Sequence, residues 1–209
     1  MQEPRLDPKK MALILIHMQN DVINAEDPPY NELTRRVREA GVIQNSARAA
    51  AGMRQAGIPV MHVKAGTRPE LEEARTQLIT DAALAGTWSP RGKRVMVEGT
   101  PGAEIVAELK PMPQDYVMVN YGGSAFYGTP LEIILRRLGL DTLVVGGVGT
   151  RMAVETTVRD AADRDFHVIV LSDCCTTLTQ ESHDYPIQKV FPLMARVRTT
   201  DQVLKLISK

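Results

Sequence analysis

The chain has 209 residues, 44% of them apolar and only 4% aromatic, which suits one medium domain (residues 1–209) with a largely aliphatic core. Its 25 Lys and Arg are balanced by 25 Asp and Glu, so no net charge draws it to nucleic acid or to an anionic membrane. No apolar run approaches the roughly 20 residues that span a bilayer. The opening MQEPRLDPKK lacks the apolar stretch of a secretory signal, so a cytoplasmic location is expected.

In chain order, MALILI (Met11–Ile16) reads as a buried strand, because it is a short continuous apolar run. An Ala- and Arg-rich helix is expected over Glu32–Ala56, closed by Gly57. IPVMHV (Ile58–Val63) is a second strand. Lys64–Lys93, with Pro69 and Pro90, reads as a long surface excursion of the kind that often carries function. Strand three is Asp115–Val119. A helix over Thr129–Leu138 follows, with Thr129 as N-cap and Pro130 in the first turn. Asp141–Val145 is strand four, Arg151–Arg164 a helix and His167–Leu171 strand five. Ser182–Met194 reads as a helix weakened by Pro186 and Pro192. Arg196–Arg198 is a short sixth strand, and Thr200–Ile207 a closing helix capped by Thr200.

Strands alternating with helices imply an α/β fold, with a parallel sheet of about six strands, right-handed crossovers and helices on both faces. Ligands of such sheets sit beyond the carboxyl ends of the strands. That rule selects His17, Asn120, Gly146–Ala153 and Asp173–Thr176. The glycine runs GGVG and YGGS do not form GxGxxG after the first strand, so no dinucleotide cofactor, and no other cofactor, is expected. The adjacent Cys174 and Cys175 would make at best a strained disulfide. Reduced, buried thiols are the plainer reading.

Four segments carry a resemblance. ALILIHMQND (Ala12–Asp21), EGTPGAEIVAEL (Glu98–Leu109), the stretch VMVNYGGSAFYG through GGVGTRMAVE, and HVIVLSDCCTT are similar, in order and spacing, to the isochorismatase-like or cysteine hydrolase superfamily. That group includes nicotinamidases, N-carbamoylsarcosine amidases, ureidoacrylate and biuret hydrolases, and isochorismatases. The resemblance implies a three-layer Rossmann-like domain, and homo-oligomers, dimeric or tetrameric. It also implies an Asp base, a Lys and a nucleophilic Cys at the head of a helix, where base, cation and helix N-terminus favour the thiolate. The turn before that helix, usually with a cis peptide, would supply amides to an oxyanion.

At those positions this sequence carries His17, Asn120 and Ala153. Alanine cannot form a thioester, so the family's covalent route is closed at its usual site. Cys175 falls on a common family Cys that is not catalytic; Cys174 at a strand end is the remote alternative nucleophile. His17 has two readings: a general acid or base at the pocket floor, or a polar lining residue with no proton to move. Asn120 carries no charge. Arg151 either restores a cation able to hold a carboxylate or belongs to the surface or an interface. Trp88, Tyr121, Phe126 and Tyr127 would stack on a ligand or pack a subunit interface. With Ser124, Gly149 and Thr150, the residues Trp88, Tyr121, Phe126 and Arg151 complete the expected ligand-binding set. The metal-binding histidines of nicotinamidases have no counterpart, since residues 27–45 contain no His; no metal is expected. Two functions stay open. One is an inactive relative that binds a small amide or carboxylate or acts as a subunit beside an active paralogue. The other is a rewired hydrolase of C–N or vinyl-ether bonds, in which His17 activates water or protonates a leaving group while Asn120 and the turn amides hold an oxyanion.

Overall fold

A computed structural model describes residues 6–26, 30–70, 81 and 95–208. Among these, six strands form one wholly parallel sheet in the order β3-β2-β1-β4-β5-β6. They are β1 Met11–Ile16, β2 Val60–Ala65, β3 Tyr116–Asn120, β4 Thr142–Val148, β5 His167–Thr176 and β6 Arg196–Arg198. The helices are α1 Asn20–Ile23, α2 Tyr30–Glu39, α3 Val42–Gln55, α4 Leu131–Arg137, α5 Glu155–Ala162, α6 Gln180–Tyr185 and α7 Thr200–Ile207.

The central strand shows why the sheet needs two helical layers. Met11, Leu13 and Leu15 of β1 pack with Ala49, Ala50 and Met53 of α3 and with Val203 of α7. Ala12, Ile14 and Ile16 point the other way, to Leu131 and Leu135 of α4 and Val158 and Ala161 of α5. All six strand residues are buried, which is how a strand covered on both faces reads as an unbroken apolar run. Each such large side chain contributes roughly 1.5–3 kcal/mol on burial.

Several element boundaries differ from the sequence expectation, each for a local reason. The single helix expected over Glu32–Ala56 is two helices. Gly41 between them adopts a left-handed φ of 63°, a conformation that no helix continues through. Gly57, with φ 71°, does close α3: its N–H reaches Arg54 O and that of Ile58 reaches Met53 O. β2 starts after Pro59 and not at Ile58; β3 starts at Tyr116 and not at Asp115, whose carboxylate is engaged by Arg54 at 2.5 and 3.1 Å, and it runs through Asn120. Pro130 is the cap of α4, while Thr129 Oγ1 accepts from Leu131 N and donates to Ala125 O. The helix after β4 opens with a π-helical turn, Thr150–Val154. β5 extends through Asp173–Thr176, so those residues lie inside the strand. The stretch expected as one helix over Ser182–Met194 is α6, then a π turn from Pro186, then a 3-10 turn around Pro192. α7 is capped by Thr199, which forms a capping box with Gln202, and not by Thr200. Thr200 is fully buried, with its N–H and hydroxyl on the Asp173 carboxylate.

At the carboxyl end of the two central strands the backbones approach unusually closely. Gly147 has φ 141°, and a Cβ there would lie 2.4 Å from Ile16 O. Neither backbone can move without breaking the β1–β4 ladder. Gly147→Ala should therefore lower unfolding stability by at least about 2 kcal/mol. Gly57→Ala, where φ is 71° but nothing lies within 4 Å, should cost only about 1 kcal/mol. Urea midpoints of the two variants check this; equal losses would mean that the approach at Gly147 is relieved cheaply.

Candidate ligand site

The chain reverses its winding between β1 and β4, and the site lies just beyond their carboxyl ends, as the switch-point rule requires. β1 ends at Ile16, and His17 turns the chain with a left-handed φ of 55°, its N–H held by Val63 O at 2.8 Å. A non-glycine residue in this region is uncommon. Its ring lies against Asn120, the last residue of β3: His17 Nε2 and Asn120 Oδ1 are 2.9 Å apart. Asn120 is fully buried and its Nδ2 donates to Ser124 O at 2.7 Å. A carbonyl can only accept, so the Asn120 amide is oriented with Oδ1 toward the imidazole, and His17 Nε2 must donate. Burial pushes the His17 pKa down to about 4, against the opposing effect of the Asn120 bond. At neutral pH the ring is uncharged, with its proton on Nε2.

The second wall comes from β4. The peptide between Val148 and Gly149 is cis, and the π turn that follows places Ala153 at the head of α5. Thr157 of α5, fully buried, donates to Ala153 O at 2.7 Å and accepts from Ala125 N at 2.9 Å. One hydroxyl thus stitches the loop after β3 to the helix after β4. Thr150 Oγ1 sits 2.9 Å from His183 Nδ1. His183 titrates below the ordinary histidine range, chiefly because of burial.

Between these walls is a cavity of about 270 Å³, slightly below the roughly 300–1,000 Å³ of pockets for drug-sized ligands. His17, Gly149 and Ala153 line it, with Val22, Leu33, Met96, Val148, Met152 and Leu178 as apolar walls. Tyr30, Thr177, Ala65 and the glycine pair Gly122 and Gly123 complete the lining. Among the described residues no Cys, Lys, Arg, Asp or Glu lines it.

The other expected site residues fall elsewhere. Asn120 acts from behind His17 and does not line the cavity. Ser124 is buried; its Oγ accepts from Phe126 N. Phe126 packs on Phe166 at 5.9 Å between ring centroids, with Arg164 over its face. Tyr121 is half exposed and its hydroxyl donates to Glu98. Tyr127 is exposed and packs beside Gly122. Thr150 is turned to His183, and Arg151 is exposed and outside the lining. Trp88 and most of the expected excursion lie outside the described residues. Cys174 and Cys175 are free, buried and away from the cavity. Burial raises both thiols, Cys174 to about 12, so neither is a thiolate at neutral pH. Among the described residues no cluster of His, Cys, Asp or Glu could hold a metal, and no helix is long and apolar enough to cross a membrane.

The walls that sequence reasoning missed are held by unassuming residues. Fully buried Gln19 donates from Nε2 to Ala65 O and Ala103 O and accepts from Ala65 N. Asp21 accepts from the N–H of Met96 at 2.7 Å, fixing that side chain's segment, which itself carries a φ of 55° at Met96. The QND triplet after β1 was the available signal, since polar residues that follow a buried strand so closely need partners.

Comparison with known proteins gives the family. The isochorismatase domain model matches residues 11–202. The chain belongs to the isochorismatase family. This isochorismatase-family protein is 29% identical over 202 residues to YecD, an isochorismatase family protein of Escherichia coli O157:H7, covering 97% of this chain and 98% of that one. It is 35% identical over 187 residues to a ureidoacrylate amidohydrolase of Methylobacterium radiotolerans, covering 85% and 71%. The structure of an isochorismatase family protein from Burkholderia thailandensis superposes with a TM-score of 0.80 at 25% identity, over 99% of each chain.

His17 also gives the isochorismatase-family protein a pH signature. Its folded pKa, about 4, lies below its value of 6.5 when unfolded, so the unfolded chain binds the proton first. Stability is then complete above about pH 6.5 and is lost as pH falls toward 4, by on the order of 2 kcal/mol at pH 5. His62 and His183, also lowered chiefly by burial, add in the same direction. Thermal midpoints should fall between pH 7.5 and 5, and fall less in His17→Asn, which tolerates the left-handed backbone and does not titrate. An equal fall in both proteins would show that His17 does not resist protonation.

Proposed function

We propose that this isochorismatase-family protein binds a small molecule in the cavity between β1 and β4 without forming a covalent bond to it. The observation that carries the reading is Ala153: the side chain presented to the cavity from the head of α5 is a methyl group. Where relatives of this hydrolase family are expected to carry an Asp, a Lys and a Cys, the chain has a neutral imidazole, a buried amide and that methyl. No charged side chain among the described lining residues would activate a nucleophile or hold a carboxylate. The two amide atoms of Asn120 are engaged by His17 and Ser124, so Asn120 orients the ring and does not cradle an oxyanion. An uncharged ligand, such as a small amide, suits these walls better than a carboxylate.

A second reading has one observation in its favour. His17 is oriented by a hydrogen-bonded partner, as general bases commonly are, and the similarity to a ureidoacrylate amidohydrolase points to C–N bonds as the class to try. With a pKa near 4, however, the imidazole is a weak base and is almost never the acid at neutral pH.

Turnover on a panel of amides, ureas and enol ethers separates the two. The expected result is no hydrolysis above background by the unaltered protein, and no covalent adduct by intact-mass spectrometry. The triple variant His17→Asp, Asn120→Lys and Ala153→Cys should show acyl-adduct formation on at least one amide. Hydrolysis by the unaltered protein that is abolished in His17→Asn would replace the binding reading with the water-activating one.

A further inference from the structure

The hydrogen-bond chain behind His17 determines what the cavity asks of its occupant. Ser124 O accepts from Asn120 Nδ2, and Asn120 Oδ1 accepts from His17 Nε2. Every link has one allowed direction, because the chain starts at a carbonyl. The ring proton is consequently fixed on Nε2, and Nδ1 carries a lone pair. Nδ1 makes no hydrogen bond among the described residues, although His17 lines the cavity. The cavity's other walls include Val22, Leu33, Met96, Met152 and Leu178, with the hydroxyl-bearing Tyr30 and Thr177 among them, and no charged side chain joins them among the described residues. An unpaired acceptor in a largely apolar, uncharged lining gains most from a donor, whereas a second acceptor or an anion set against it meets no complementary charge.

We propose that the ligand is an uncharged, largely apolar molecule that donates one O–H or N–H hydrogen bond to His17 Nδ1, with Asn120 as the positioning residue that makes this nitrogen an acceptor. The inference rests on the binding reading above and narrows it: carboxylates and acceptor-only molecules are rejected. The burial that keeps the ring uncharged at neutral pH acts in the same sense.

Four single-ring probes of similar size test it: toluene, benzyl alcohol, benzyl methyl ether and benzoate, titrated into the full chain at pH 7 by calorimetry. Imidazole 15N spectra of histidine-labelled protein are recorded alongside, with the His17 signals assigned by their loss in His17→Asn. The expected result is that toluene enters the cavity and benzyl alcohol binds at least tenfold more tightly. The ether and benzoate should be no better than toluene. The spectra should show a protonated Nε2 and an unprotonated Nδ1 that shifts only with the alcohol. In Asn120→Asp the carboxylate should hold the ring as imidazolium, so Nδ1 becomes a donor and benzoate overtakes benzyl alcohol. Should that variant not fold, the unaltered protein's spectrum and its ranking of the four probes still decide. Toluene bound with the alcohol no tighter, or benzoate or the ether binding as well as the alcohol, overturns this inference and leaves the binding reading standing. A protonated Nδ1 at pH 7 does the same. None of the four bound at millimolar concentration overturns both.

Discussion

The contact of Gly147 with Ile16 is the constraint on which the rest is arranged. β1 and β4 are neighbours in the middle of the sheet, and at their carboxyl ends the two backbones come closer than any side chain at position 147 would permit. Immediately beyond that point the strands must part, because the helices that follow them belong to opposite faces of the sheet. His17 leaves β1 through a left-handed turn, and Gly149 leaves β4 through the turn that carries Ala153. The cavity is the space that opens where two tightly joined strands separate. His17, Gly149 and Ala153 of these two turns line it, and the few polar side chains that reach it do so by particular routes.

His17 is the clearest of these routes. The energetic difficulty of a partly buried imidazole is met without a charged partner: Asn120 accepts from one nitrogen, and Ser124 fixes the direction of the Asn120 amide. A carboxylate at position 120 would favour the charged ring, and an apolar residue would leave Nε2 unpaired at a cost of roughly 1–3 kcal/mol. The amide is the choice that keeps the ring both satisfied and neutral. That is a different electrostatic design from a base, a cation and a thiolate sharing one pocket, in which every member depends on the charge of the others.

The central strands were legible in the sequence because burial on both faces writes itself as an unbroken apolar run, as in Met11–Ile16 and in Leu143–Val145 of β4, which was expected over Asp141–Val145 and runs over Thr142–Val148. Helix ends were harder, for reasons visible in particular residues. The left-handed Gly41 divides a pattern that looks continuous, and Thr199 and Thr200 are both competent caps until the Asp173 carboxylate claims the second. In the site, strand ends pointed to His17, Gly149 and Ala153, all in the lining, and to Asn120 behind it. Of the aromatics expected against a ligand or an interface, Tyr121, Phe126 and Tyr127 stand outside the cavity lining. Phe126 is absorbed by Phe166 and Arg164, and Tyr121 extends to Glu98. The apolar walls Val22, Leu33, Met96 and Leu178 come from segments far apart in sequence, and nothing local distinguishes them from core residues.

Gln19 gives the family frame a property of its own. Its amide splints the end of β2 to the segment at Ala103 through three hydrogen bonds, and none of them involves positions 17, 120 or 153. Thr157 does the same for the opposite wall through the backbone of residue 153, indifferent to the side chain there. Much of the enclosure is thus built without the groups that would do chemistry inside it, Asn120 with its bond to Ser124 O being the one that serves both. Such a separation lets a lineage lose, exchange or regain reactive side chains one at a time while the chamber keeps its shape, and it makes this chain a ready scaffold for installing new ones.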